Sequence, residues 1–325
     1  MELRRQKQGY LSMLNRELAI LMAEAESAFI SGFPYFSDFP DLKTYAEGQS
    51  CLKAGGCYGT YQLLNTCVLD SLLVAILVCY RKYLIIQDLF NSDHILRSTM
   101  SFLYMGRPEE AKVFCLIQLN LLSDNCKFFM SGEVDVTSMV DDYLPLFNNL
   151  ACARYFFDED RSSPRVSDEI YQNILSAFVN YGDVKLLGTN YIDPVFIIVN
   201  IDGRLDRAPE LLIQQYGRTF MLQFMLLCNK IEAPQHMLSC NKEDDGWILC
   251  DIRPGGPHIT DFDIEKADFK NQYVIYSAGY IKTEEKEDEV PFGVPEDGSS
   301  AFGARPFNLP LEMSSSTRTV KPKND

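Results

Sequence analysis

The chain has 325 residues, with 45 acidic against 30 basic side chains, for a net charge of −15 and a pI near 4.7. That length allows one large domain or two ordinary ones, and an apolar content of 46% supplies a substantial core. The acidic excess argues against a sequence-independent grip on nucleic-acid phosphates and against an anionic membrane surface, so neither is expected as a partner. Histidine is scarce: only His94, His236 and His258 could serve a histidine-dependent reaction.

The start, Met1 to Lys7, is basic but is followed by no apolar stretch with a small-residue cleavage site, so no secretory signal is expected. Between residues 3 and 29 the apolar positions Leu11, Leu14, Leu18, Leu21 and Met22 are separated by charges, which predicts an amphipathic helix. Ser31-Gly32-Phe33-Pro34-Tyr35 ends it, and aromatic loop chemistry continues to Gly56. A second helical block starts near Cys67 and runs through Leu72, Ile76 and Tyr83. Its apolar run, Val68 to Cys79, is interrupted by Asp70 and Ser71 and is too short to span a bilayer. His94 to Leu122 reads as two helices broken at Gly106-Arg107-Pro108, and Ser167 caps a further helix from Asp168 to Asn180.

Beyond that point the pattern changes. Val184–Leu187, Val195–Ile201, Trp247–Asp251 and Tyr273–Tyr280 are short and rich in β-branched or aromatic residues, and read as strands. Phe220 to Leu227 is an apolar run whose period does not decide between strand and helix, and its Met and Phe side chains read as core. The expectation is therefore an α+β fold, with a helical N-terminal part packed on an antiparallel sheet. Three segments follow: 1–56, an N-terminal helix and loop; 57–282, the main domain with a helical insertion; and 283–325, an acidic tail rich in Ser, Pro and Gly. The tail is expected to be disordered, because it cannot bury enough apolar surface to offset chain entropy.

The ten cysteines show no disulfide framework. Most sit in apolar stretches, as Cys79, Cys115, Cys228 and Cys250 do, where free cysteine acts as a small hydrophobe. The expected compartment is a reducing one, cytoplasmic or nuclear. No C-x-x-C pair occurs, and Cys51 with Cys57 lacks a matching second pair, so no metal and no other cofactor is expected.

The segment that carries chemistry is Tyr61-Gln62-Leu63-Leu64-Asn65-Thr66-Cys67-Val68-Leu69-Asp70-Ser71-Leu72-Leu73. A polar Asn-Thr pair ends one element, Cys67 follows at once, and a helical apolar period begins. This puts the sulfur at a helix N-terminus, where unpaired N–H groups and the positive end of the helix dipole favour thiolate. The same N–H groups suit a developing oxyanion, and Gln62, five residues upstream, can add a side-chain donor.

Asn-Thr-Cys-x-x-Asp-Ser-Leu resembles the cysteine box of papain-like cysteine proteases of the ubiquitin-specific protease type. That box usually reads Asn-Thr-Cys-x-x-Asn-Ser, with an Asn or Gln five residues before the cysteine. Gln62 matches that position, while Asp70 replaces the commoner Asn. The resemblance covers about a dozen residues. It implies a papain-like fold, a nucleophilic Cys67 and an oxyanion-stabilising Gln62. A nucleophilic cysteine needs a base. His94 stands in an ordinary capping context and His236 follows Pro234 in an apparent loop, whereas His258 follows a strand and the turn Arg253-Pro254-Gly255-Gly256-Pro257. The family's histidine box has a similar layout, which makes His258 the expected base. Its return strand would be Tyr273–Tyr276, with Ser277 standing where the family has an acid. Three arrangements follow: Ser277 orients the histidine, a distant residue such as Asp193 or Asp202 does so, or the site is a Cys–His dyad.

The implied activity is cysteine-dependent hydrolysis of peptide or isopeptide bonds, with a protein or peptide substrate such as ubiquitin or a ubiquitin-like protein. The alternative is an inactive papain-like fold that serves as an interaction or structural protein. Acyl transfer by the same Cys–His pair is a third possibility.

Overall fold

Every residue from Val68 to Tyr80 is buried, so one helix runs through the interior with no solvent-facing side. The computed structural model that shows this describes residues 2–30, 41–48, 51–124, 126–129, 131–147, 152–158, 183–187, 194–201, 205, 207–215, 218–231 and 236–283. The expected helix Asp168–Asn180 and the expected tail beyond Thr283 lie outside these residues. No helix among the described residues is long and apolar enough to cross a membrane.

The helices come first in the chain. They are α1 (Glu2–Ile30), α2 (Leu42–Glu47), then after the hairpin β1 (Gly56–Tyr58) and β2 (Tyr61–Leu64), the buried α3 (Cys67–Lys82). There follow α4 (Leu84–Asn91), α5 (His94–Tyr104), α6 (Pro108–Gln118), α7 (Leu121–Asp124), the short strands β3 (Lys127–Phe128) and β4 (Glu133–Asp135), and α8 (Val140–Tyr143). Local chemistry accounts for the boundaries. Asp93 caps α5 by accepting the N–H groups of Ile95 and Leu96 at 2.9 and 3.1 Å. Pro108 occupies the first turn of α6, with Glu109 and Glu110 beside it at the positive end of the helix.

Strands dominate afterwards: β5 (Cys152–Asp158), β6 (Asp183–Leu187), β7 (Phe196–Asn200), β8 (Leu212–Gln215), β9 (Arg218–Asn229), β10 (His236–Glu243), β11 (Gly246–Arg253), β12 (Gly256–Phe262) and β13 (Tyr273–Lys282). They form a sheet in the order β12-β11-β10-β9-β13-β7-β5-β6, with β8 added on β9. Its pairings are antiparallel except for β5 with β7. The chain is thus a mixture of helices and sheets in the α+β sense, and the large sheet is mostly antiparallel.

Both faces of this sheet are covered. Phe224, Leu226 and Ile198 join the core formed by the helices. Met225, Leu227 and Ile197 join a second cluster with Ile264, Phe269 and Tyr273. That is why β9 has no alternating pattern in the sequence: a strand buried on both sides reads as a continuous apolar run.

Two register shifts interrupt the pairing of β13 with β9, between Ile275 and Ser277 and between Gly279 and Tyr280. The first leaves Tyr276 out of the β9 ladder, and Tyr276 borders the cleft at Cys67. Bulges of this kind re-aim side chains beside sites.

Helix α3 lies along β10 and is tied to it at intervals. Ser71 Oγ donates to the Met237 carbonyl at 3.0 Å. At the far end Arg81 pairs with Glu243, and Lys82 Nζ donates to the Lys242 carbonyl at 2.9 Å and meets Asp244 at 3.2 Å. The helix start is therefore held at the start of β10, and the helix end at its end.

Gly279 on β13 pairs with Phe224 on β9, and a Cβ added there would stand 2.1 Å from Phe224 Cε1. Phe224 is enclosed and meets Phe196 with ring centroids 6.2 Å apart. Gly279→Ala is expected to lower stability by about 1–3 kcal/mol. Urea unfolding should show this as a lower midpoint at unchanged slope; an unchanged midpoint would refute this packing.

Candidate active site

The turn before Cys67 depends on one left-handed residue. Asn65 has φ +56°, a conformation that Asn tolerates better than most side chains. Its Nδ2 donates to Asp135 Oδ1 at 2.9 Å, which fixes it to β4. Strand β2 thereby ends at Leu64, and α3 begins two residues after Asn65 with Cys67 as its first residue. Cys67 is half-buried.

His236, the first residue of β10, borders the same cleft as Cys67, and its imidazole acts on the sulfur in favour of the thiolate. The same imidazole is held from its other side by Asp251 of β11, with Nε2 to Oδ1 at 2.6 Å. Since Nε2 is committed to the carboxylate, Nδ1 is the nitrogen left for the sulfur. The second Asp251 oxygen accepts from Arg253 Nε at 2.6 Å, so the carboxylate is oriented from both ends. A thiol, an imidazole and a carboxylate therefore lie in a row at Cys67, His236 and Asp251.

The electrostatics of this row differ from those of the other thiols. Burial pushes Cys79, Cys115 and Cys250 up to about 12. Burial also opposes ionisation of Cys67, but the His236 hydrogen bond, the Met237 N–H and the His236 charge overcome it, and the thiol is held below its ordinary 9.0. His236 is raised from 6.5 to about 9, first by its hydrogen bond with Cys67 and, against burial, by that with Asp251. Its charged form is favoured by folding, so its contribution to stability is complete below 6.5 and is lost as pH rises through about 9. The Cys67 contribution runs the other way, present above 9.0 and lost as pH falls through the depressed value.

A cleft of about 660 Å³ opens over this row, bordered by Gly55, Gln62, Asn65, Cys67, Met139 and His236, among others. Gln62 is exposed on β2. A larger cleft of about 980 Å³ lies at Arg81, Glu243, Trp247 and Asp261, and its lining holds no cysteine, serine, threonine or histidine. Among the described residues no group of three or more His, Cys, Asp or Glu is placed to hold a metal ion.

Of the residues singled out in the sequence, the fold brings Cys67 and Gln62 to one cleft and leaves His258 and Ser277 elsewhere. His258 is exposed on β12, paired across the ladder with Asp251. Ser277 is buried on β13 between β7 and β9, donating to the Val199 carbonyl at 3.1 Å. The expected hairpin of β12 with the Tyr273 strand does not form, because β13 inserts between β9 and β7, with three strands separating it from β12. Asp193 and Asp202 lie outside the described residues.

One signal in the sequence bears on His236 and Asp251, though it does not choose between the histidines. Asp244-Asp245-Gly246 is a hairpin turn sequence, and Glu243 pairs with Gly246 across it. Counting back along that register sets Leu238 opposite Asp251 and His236 two residues further on, opposite Arg253.

No family model matches the chain, and no curated protein matches it. Solved structures do match. A crystal structure of an essential yeast splicing factor is 12% identical, covering 72% of this chain and 74% of that one, at TM-score 0.30. The SAGA Ubp8/Sgf11/Sus1/Sgf73 DUB module is 10% identical, covering 82% and 73%, at TM-score 0.34. A variant of that module is 9% identical, covering 82% and 74%, at TM-score 0.35. At such scores the likeness carries no conclusion about this chain.

Alkylation of Cys67 by iodoacetamide, followed by peptide mass spectrometry, should reach half its plateau rate below pH 9.0. His236→Ala should move that midpoint upward, and His258→Ala should leave it in place. Equal midpoints in all three proteins would refute the pairing.

Proposed function

We propose that the protein is a papain-like cysteine hydrolase that cleaves peptide or isopeptide bonds with Cys67, His236 and Asp251. The observation that carries this reading is the imidazole of His236, held by Asp251 Oδ1 at 2.6 Å and set on the same cleft as Cys67 at the start of α3. The resemblance of the cysteine box to ubiquitin-specific proteases makes ubiquitin or a ubiquitin-like protein the proposed substrate class.

In this mechanism the Cys67 thiolate attacks the carbonyl carbon of the scissile bond. The oxyanion is stabilised by N–H groups at the start of α3 and by the Gln62 amide. His236, as imidazolium, gives its proton to the leaving amine as the C–N bond breaks and a thioester remains. The neutral imidazole then takes a proton from water, which attacks the thioester, and the Cys67 thiolate leaves. Asp251 holds the ring in the tautomer that points Nδ1 at the sulfur. Against the alternative of an inactive papain-like fold, the carboxylate of Asp251 at His236 stands as an acid able to orient the imidazole.

Ubiquitin carrying a C-terminal electrophile should label Cys67 covalently, and Cys67→Ala should abolish labelling and turnover. His236→Ala should lower kcat/KM on the order of 10²-fold or more, whereas His258→Ala should behave as the parent. A parent protein that labels with small electrophiles but turns over no ubiquitin or peptide substrate would sink the hydrolase reading.

The pH profile supplies a separate check. kcat/KM should fall on the acid side as Cys67 takes up its proton, and on the alkaline side near pH 9, where His236 loses the proton owed to the amine. Asp251→Asn should bring the alkaline limb to lower pH, because one of the contacts that raise His236 loses its charge. An alkaline limb unmoved in that variant would refute the role given to Asp251.

A further inference from the structure

One turn into α3 the Asp70 carboxylate is completely enclosed, and it meets Lys112 Nζ of α6 at 2.9 Å with neither side chain exposed. Lys112 also donates to the Gly55 carbonyl at 2.6 Å and to the Lys53 carbonyl. The other Asp70 oxygen accepts from Thr66 Oγ1 at 2.5 Å. Thr66 Oγ1 in turn accepts the Gly55 N–H at 2.7 Å. Gly55 is therefore pinned at both its N–H and its carbonyl. Its φ of +72° suits glycine, and a Cβ there would stand 2.8 Å from the Leu63 oxygen. Next to it, the Ala54 N–H donates to the Arg253 carbonyl at 3.1 Å, on the strand that bears Asp251.

Gly55, Thr66 and Cys67 border the same cleft. A buried ion pair is a poor way to stabilise a fold, since an apolar pair of similar volume often does as well or better. What it supplies is direction. A buried ammonium has three donors; Lys112 gives hydrogen bonds to the Lys53 and Gly55 carbonyls and faces the Asp70 carboxylate as an ion pair at 2.9 Å. The pair also accounts for Asp70 standing where the resembling cysteine box has Asn, because an amide would leave Lys112 charged and uncompensated.

We propose that Lys112 and Asp70 are positioning residues of the Cys67 site, locking the Ala54–Gly55 wall of the cleft to the start of α3 and thereby setting the seat of the thiol. This rests on the reading of Cys67 as a nucleophile. The titratable groups facing Asp70 are Lys112 from α6, His236 from β10, Tyr143 from α8 and Cys67 on its own helix. Lys112 and His236 favour the Asp70 charge, burial opposes it, and that charge in turn opposes ionisation of Cys67.

The test is Lys112→Met in the full chain, with circular dichroism for the fold and iodoacetamide alkylation of Cys67 against pH for the site. Without its partner, Asp70 takes up a proton, so the Cys67 midpoint should move to lower pH. The displaced wall should change the plateau rate by about threefold or more. A folded variant with midpoint and plateau both unchanged overturns the proposal. If Lys112→Met does not fold, the double variant Asp70→Leu with Lys112→Met removes both charges and is read by its plateau rate; an unaltered plateau, or failure of this variant to fold, also overturns it. A parent protein whose own Cys67 midpoint is not depressed sinks the nucleophile reading instead.

Discussion

The structure turns on the contact of α3 with β10. A helix buried along its length must find partners inside the protein near both ends, and β10 supplies one at each. Its basic last turn meets Glu243, Lys242 and Asp244 at the end of β10. Its first residue meets His236 and Met237 at the beginning. Because helix and strand run in the same direction, the anchoring that holds the core together also brings a thiol to an imidazole.

Charge placement completes the arrangement. The chain is acidic overall, yet the groups that decide the site are few and local. Asp251 receives His236 on one oxygen and Arg253 on the other, which leaves the imidazole one free direction, toward Cys67. Other cysteines buried in the same interior are pushed toward the neutral thiol because no such partner faces them. The difference between a structural and a chemically poised cysteine lies here in two neighbours, the His236 ring and the Met237 N–H, which outweigh the cost of burial.

Much of the helical half was legible residue by residue. The periodicity of residues 3–29 corresponds to α1, the break at Gly106-Arg107-Pro108 separates α5 from α6, and the polar Asn65-Thr66 pair precedes the start of α3. Strand β9 was ambiguous because both of its faces are covered, which removes the alternation that marks a half-exposed strand. Strand β10 was missed for a different reason. It starts on His236, shortly after a proline, and its mixture of Ser, Cys, Asn and Lys carries little of the β-branched character by which the other strands were recognised.

The site divides along the same line. A helix N-terminus is a local event, written in a polar Asn-Thr pair and the onset of an apolar period, so the position of Cys67 followed from the sequence alone. Its partner histidine did not, since choosing among His94, His236 and His258 requires the order of strands in the sheet. That order depends on which long-range pairings bury the most surface. The fold inserts β13 between β9 and β7, leaves His258 exposed near the sheet edge, and closes β10 onto β11 so that His236 reaches Asp251. The acidic, histidine-poor composition limited the candidates to three, and only the tertiary pairing of β10 with α3 selected one of them.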